Sequence, residues 1–172
     1  MRRRAILLAA VGSVLVACGH PSAGRAPLTA PGAAAVERVV DGDTIIVRVS
    51  GHRERVRLIG IDTPESVKPN TPVQCFAIEA SNRTKALLPP GTGVRLVRDA
   101  EERDKYRRLL AYVYRARDDL FVNLSLVREG YASPYTFPPN VAHAAEFVAA
   151  AAEARTAGRG LWSACPGDRR LR

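Results

Sequence analysis

Three short runs put charged side chains where the chain turns. The first is Asp41-Gly42-Asp43-Thr44, two carboxylates separated by one glycine. The second is Arg57-Leu58-Ile59-Gly60-Ile61-Asp62-Thr63-Pro64-Glu65, in which an apolar stretch delivers an arginine from its interior and two carboxylates at its end. The third, Asp104-Lys105-Tyr106-Arg107-Arg108-Leu109-Leu110-Ala111-Tyr112, is a basic approach to another apolar stretch. Carboxylates suit a hard cation or accept a proton from water, and a guanidinium presents a planar fork that fits phosphate or carboxylate. Each run also has a plain reading. Asp-Gly between apolar runs is an ordinary hairpin turn, two acids three apart at a strand end are commonly solvated, and the basic run reads as a solvated turn.

Strands come first among the elements that must hold these residues. Residues 36–40 form a short apolar strand, and Thr44-Ile45-Ile46-Val47-Arg48-Val49 is a β-branched second. Ser50-Gly51-His52 turns it into a third, in which Arg53, Arg55 and Arg57 alternate with Glu54, Val56 and Leu58. A loop with Pro69 and Pro72 leads to a helix from Cys75 to Leu88, stopped by Pro89-Pro90-Gly91. Residues 93–99 and 109–114 read as the fourth and fifth strands. Residues 121–129 read as a helix closed by Gly130, and an alanine-rich helix runs from Asn140 to near Gly158. This order predicts an α+β fold, a five-stranded OB-fold β-barrel with three helices. Short strands also fit an SH3-like barrel, and periodicity alone does not separate the two.

The 172 residues carry 26 Lys+Arg and 17 Asp+Glu, a formal net charge of +9. With 47% hydrophobic and 25% charged residues, the chain is neither disordered nor fibrous, and its length suits one domain. Only Lys68, Lys85 and Lys105 are lysines. The arginine excess fits a polyanionic partner, and a GC-rich coding sequence produces the same bias.

Residues 1–17 read as a signal peptide, with Arg2-Arg3-Arg4 ahead of an apolar run too short to span a bilayer. Leu15-Val16-Ala17-Cys18 resembles a bacterial lipobox, which implies lipidation of Cys18 and anchoring to the cell membrane. The competing reading is an ordinary secreted protein cut nearby. Residues 18–35 read as a flexible tether, 36–165 as the domain and 166–172 as a tail. Cys75 and Cys165 then remain, and in an oxidising compartment two leftover cysteines usually pair, closing a loop of about 90 residues; the competing reading is two free buried thiols. Neither has zinc-ligand spacing, and no histidine has a partner for nucleophilic chemistry.

Taken together and in this order, the three runs resemble the staphylococcal-type thermonucleases. The resemblance extends over residues 36–163 and includes Asn123 to Gly130 (NLSLVREG), Pro139-Asn140 and Gly160-Leu161-Trp162-Ser163. It implies an OB-fold, calcium-dependent endonuclease, a hydrolase acting as a monomer on DNA and RNA with low sequence specificity and leaving 3′-phosphate ends. By that resemblance Asp43 and Asp62, with the Thr63 carbonyl, are the Ca2+ ligands. Glu65 is the general base, Arg57 and Arg108 hold the scissile phosphate, Lys105 and Tyr106 contact a neighbouring phosphate, and Tyr135 and Phe137 lie against the nucleotide. The family commonly has glycine where this chain has Arg107, which implies backbone strain if the position needs positive φ. The other reading is a non-catalytic OB-fold lipoprotein that binds nucleic acid or protein. Members that have lost activity typically lack an acid or arginine of this set, and this chain has them all.

Overall fold

A computed structural model describes residues 34–66, 70 and 72–165. In chain order the elements are β1 (Ala34–Asp41), β2 (Thr44–Val49), β3 (His52–Leu58), β4 (Gly60–Asp62), α1 (Ala77–Leu87), β5 (Gly93–Val97), β6 (Leu109–Arg115), β7 (Leu120–Phe121), α2 (Val122–Arg128), β8 (Ser133–Tyr135), α3 (Ala144–Thr156) and α4 (Leu161–Ala164).

Side-chain alternation builds the first three strands into a meander. Ile45, Val47, Val56 and Leu58 are fully buried on the inner face, while Arg48, Arg53 and Arg55 lie on the exposed one. Ser50 (φ 48°) and Gly51 (φ 83°) connect Val49 to its partner His52, and two successive positive-φ residues match the twist of the flanking strands. The register sets Thr44 opposite Arg57, Ile46 opposite Arg55 and Arg48 opposite Arg53. β1 is irregular between Val36 and Arg38 and again between Val39 and Asp41. Such irregularities re-aim side chains at a strand end.

The main sheet runs β3-β2-β1-β5-β6-β7, and β3 also pairs in parallel with β6, Val56 with Leu109 through Leu58 with Ala111. That extra pairing closes β1, β2, β3, β5 and β6 into the expected five-stranded barrel. Its interior is filled by Val36, Ile45, Val47, Val56, Leu58, Val94, Leu96 and Val113, and α2 and α3 add Leu126, Val127 and Phe147 to the same core.

The structure departs from the sequence expectation in several places. β4 and β8 form a separate two-stranded ribbon, Gly60 opposite Tyr135 and Asp62 opposite Ser133, and β7 adds two residues to β6. Strands of two or three residues carry no readable alternation. A single-turn fourth helix, α4, follows the three expected ones. α3 starts at Ala144 rather than Asn140, whose backbone is engaged in an isolated antiparallel bridge with Phe137 and whose side chain accepts a hydrogen bond from the Glu101 N–H at 2.8 Å. β1 begins at Ala34, where Ala34 and Ala35 pair with Val49 and Arg48, so these two residues belong to the sheet. The signal peptide, Cys18, residues 18–33 of the tether and the tail from 166 lie outside the described residues. Among the described residues no helix is long and apolar enough to cross a membrane.

Cys75 and Cys165 are joined in a disulfide, as the cysteine count predicts. The bond ties the segment entering α1 to the residue that follows α4.

Candidate active site

Gly42 allows the two acidic loops to meet. A Cβ on Gly42 would lie 2.6 Å from Thr63 Oγ1, so only glycine permits this approach. On the other side the Thr84 hydroxyl of α1 donates to the Gly42 carbonyl at 2.7 Å. With the turn held in that way, Asp43 Oδ2 accepts from the Thr63 N–H at 3.0 Å and from Thr63 Oγ1 at 3.1 Å. Asp43 is buried, and these donors replace the water it has lost.

Arg57 spans both acids. Its Nη1 lies 3.1 Å from Asp43 Oδ2 and donates to the Leu58 carbonyl at 2.7 Å, while Nη2 donates to Asp62 Oδ1 at 3.2 Å. The Arg57 side chain is only 14% exposed, so the fork is fixed by packing as well as by charge. Asp62 reaches this point from the end of β4, whose pairing with β8 sets its direction. Glu65 is held through its backbone, its N–H donating to Gln74 Oε1 at 2.6 Å and its carbonyl accepting from the Gln74 N–H at 3.0 Å.

Asp41 was not singled out by sequence. Burial, with the Asp43 carboxylate next to it and Glu65 farther off, pushes its carboxyl up to about 6, against hydrogen bonds from the Asp43 N–H and Thr44 that pull it down. The signal was present in the first run, but an acid opening a hairpin turn looks like a turn residue. Carboxylates crowded enough to resist ionisation are an arrangement that a bound cation relieves. Among the described residues no three His, Cys, Asp or Glu side chains are placed to hold a metal by themselves. Two aspartates, a backbone carbonyl and water are nevertheless an all-oxygen set suited to calcium.

The other half of the site is a cleft of about 540 Å³ lined by Arg57, Arg108, Lys105, Tyr106, Tyr135 and Phe137, among others. Arg108 is positioned by Asp104, whose Oδ1 accepts from the Arg108 N–H at 2.9 Å and Oδ2 from Nε at 2.7 Å. The same Oδ1 accepts from the Tyr106 N–H at 3.0 Å, and the Asp104 carbonyl accepts from the Arg107 N–H at 2.8 Å. Burial alone would raise the Asp104 carboxyl; the bonds from Arg108 and Tyr106 outweigh it and hold the group below its ordinary range. Arg107 sits at φ 64°, the left-handed conformation that a glycine adopts without cost. Lys105 Nζ and the Arg108 guanidinium lie 5.1 and 5.6 Å from the Tyr106 ring centre. Tyr135 and Phe137 stack on each other, 6.4 Å apart and 13° from parallel, and both are more than half exposed. Exposed parallel rings beside guanidinium groups are a platform for planar, anionic ligands.

The structure therefore gathers Arg57, Arg108, Lys105, Tyr106, Tyr135 and Phe137 around one cleft, with Asp43, Asp62 and Thr63 behind Arg57 and Glu65 near Asp41. The residues to which sequence reasoning gave no role in the site are supports: Asp41, Gln74, Asp104 and Asn140. Their polarity was visible, but their bonds depend on strands and loops brought together by the fold.

Comparison with known proteins points to one family. The model of one family, described as "Staphylococcal nuclease homologue", matches residues 55–164. A thermonuclease of Staphylococcus intermedius is 55% identical over 105 residues, 61% of either chain. A thermonuclease of Staphylococcus hyicus is 43% identical over 128 residues, 74% of either chain. A Bacillus subtilis protein named Endonuclease YncB is 39% identical over 129 residues, 74% of this chain and 60% of that one. The matched stretch thus spans about three-fifths of the Staphylococcus intermedius protein.

Proposed function

The chain belongs to the staphylococcal nuclease family, and on that premise we propose that it is a calcium-dependent endonuclease hydrolysing DNA and RNA with little sequence preference and leaving 3′-phosphate ends. The observation that supports this best is Arg57, which touches Asp43 and Asp62 and also lines the cleft with Arg108.

A phosphodiester is an anion, and its five-coordinate transition state carries more charge still. Arg57 and Arg108 supply N–H forks from two sides of the cleft, donors that strengthen as charge accumulates on the equatorial oxygens. Glu65 takes the proton of the attacking water. Lys105 and Tyr106 bind the neighbouring phosphate, and Tyr135 and Phe137 stack against the nucleotide. Calcium, held by Asp43, Asp62, the Thr63 carbonyl and water, would supply positive charge to the reacting phosphate.

The export signal and the lipobox at Cys18 rest on sequence alone, and the Cys75–Cys165 bond fits an oxidising compartment. We infer an exported monomer anchored to the membrane, checked by labelling cells with a radioactive fatty acid and comparing Cys18→Ala.

The function is tested with purified protein and heat-denatured DNA in calcium, in chelator, and with Glu65→Ala. Degradation that needs both calcium and Glu65 is expected. Intact DNA with a salt-sensitive gel shift would instead favour a non-catalytic binding module.

A further inference from the structure

Four arginines cover the outer face of β1, β2 and β3 beyond the cleft. Arg53, Arg55 and Arg57 share one face of β3 at steps of about 6.8 Å. Arg57 is engaged with Asp43 and Asp62, and Arg55 continues the row away from it. Across the sheet Arg55 stands opposite Ile46, and Ile46 stands opposite Arg38, so one cross-strand row reads arginine, isoleucine, arginine. The next row sets Arg48 directly opposite Arg53.

This arrangement works against stability. Like charges directly opposite in a sheet repel, and beyond the row of Asp41, Thr44 and Arg57 the face carries, among the described residues, one carboxylate to offset four guanidinium groups. That carboxylate is Glu37, at the irregular point of β1, with Oε1 2.8 Å from Arg53 and Oε2 3.3 Å from Arg48. Arg48 and Arg53 remain 60% and 53% exposed. Arg38 and Arg55 are exposed and make no ion pair among the described residues.

We propose that this face is an extended binding tract for the nucleic-acid strand, carrying phosphates beyond those in the cleft along Arg55 and Arg38 toward Arg53 and Arg48. The inference rests on the nuclease reading of the cleft. Three points commit the face to that occupant. Its charge complements a polyanion. It is continuous with Arg57, already at the cleft. Its two-residue repeat is comparable to the distance between successive phosphates of an extended single strand. Ile46, buried between Arg38 and Arg55, spaces the two forks across the sheet so that a strand lying between them meets both.

The test compares full-length protein with the Arg38→Ala/Arg55→Ala variant and with Arg38→Lys/Arg55→Lys. Binding of a labelled oligothymidylate long enough to run past β3, and of a dinucleotide, is read by fluorescence anisotropy in chelator across a salt series. The alanine pair is expected to bind the long strand about tenfold more weakly, with a log–log salt slope shallower by about 1.4, two single-strand phosphate contacts. Dinucleotide affinity stays within a factor of about two, and the lysine pair regains most of the lost affinity because charge carries this term. Unchanged long-strand affinity and salt slope overturn the tract, and so do equal losses on both ligands. So does loss of binding to phosphatidylglycerol vesicles while the long strand binds as before, which would make the face a lipid contact. Because binding is read without calcium, absent cleavage by the parent protein counts against the nuclease reading alone.

Discussion

Asp104 grips Arg108 at two points, its Oδ1 on the backbone N–H at 2.9 Å and its Oδ2 on Nε at 2.7 Å. Asp104 engages one edge of the guanidinium, and among the described residues no carboxylate pairs with the Nη atoms. Asp104 is thus a positioning residue. Asp104→Ala is expected to lower kcat about ten- to a hundredfold, since a loosely held donor forfeits much of what a fixed one contributes. KM should change by less than kcat, with kcat normalised to the folded fraction by circular dichroism, because loss of folded protein alone also lowers apparent kcat at constant KM.

A pH dependence follows from the same pair. The folded carboxyl of Asp104 lies below its ordinary range, so its contribution to stability is complete above the unfolded pKa of about 3.9 and is lost as pH falls through the lower folded value. Urea denaturation of the parent and Asp104→Asn should therefore differ at neutral pH and converge in strong acid.

Arg107 has a φ of 64°, which costs a side-chain-bearing residue about 1 kcal/mol. Arg107→Gly removes that strain, while the greater freedom of glycine in the unfolded chain returns part of the gain. A net stabilisation of up to about 1 kcal/mol is expected, read as a higher urea midpoint with unchanged slope. A lower midpoint would mean that the Arg107 side chain holds the loop, which its exposure argues against.

What sequence made legible, and what it left hidden, divides by the range of the interactions. β2 and β3 were readable because β-branched residues and strict alternation are local properties. The disulfide followed from counting, since two cysteines remained in a chain that reads as exported. β4 and β8 were not readable, because three-residue strands gain their pairing only when residues some seventy apart meet. Asp41 shows the same limit in electrostatics. As a residue type it suits a turn, and only burial beside Asp43 raises its carboxyl to about 6. Arg107 lay between these cases: the resemblance implied a glycine there, but the positive φ of this arginine was not legible in sequence.

The Cys75–Cys165 bond spans 90 residues and joins the entry of α1 to the end of α4. In the chain-entropy account such a loop contributes up to about 4–5 kcal/mol by restricting the unfolded chain. Cys75→Ser/Cys165→Ser should lose most of that in urea denaturation. Cys75 also follows Gln74, which anchors the Glu65 backbone at 2.6 and 3.0 Å. Gln74→Ala, with the bond intact, should therefore lower kcat more than it lowers stability, whereas the serine pair should do the reverse.

Gly60 couples the barrel to the cleft through Phe147. A Cβ at Gly60 would stand 2.2 Å from Phe147 Cε2, and the backbone there has φ +80°. Phe147 is fully buried against Tyr112 and Phe121, so the ring has no vacant space into which to withdraw. Gly60→Ala is expected to cost at least about 2 kcal/mol, from overpacking and left-handed strain together. Gly60 also pairs with Tyr135 across β4 and β8, so the same substitution should displace the aromatic platform and weaken nucleotide binding. Gly60→Ala combined with Phe147→Leu separates the two causes. Relief of the steric overlap should make the double variant more stable than the sum of the single changes, while the strain from φ persists in both. Strict additivity would assign the whole cost to the backbone and leave Phe147 without a part in setting β4.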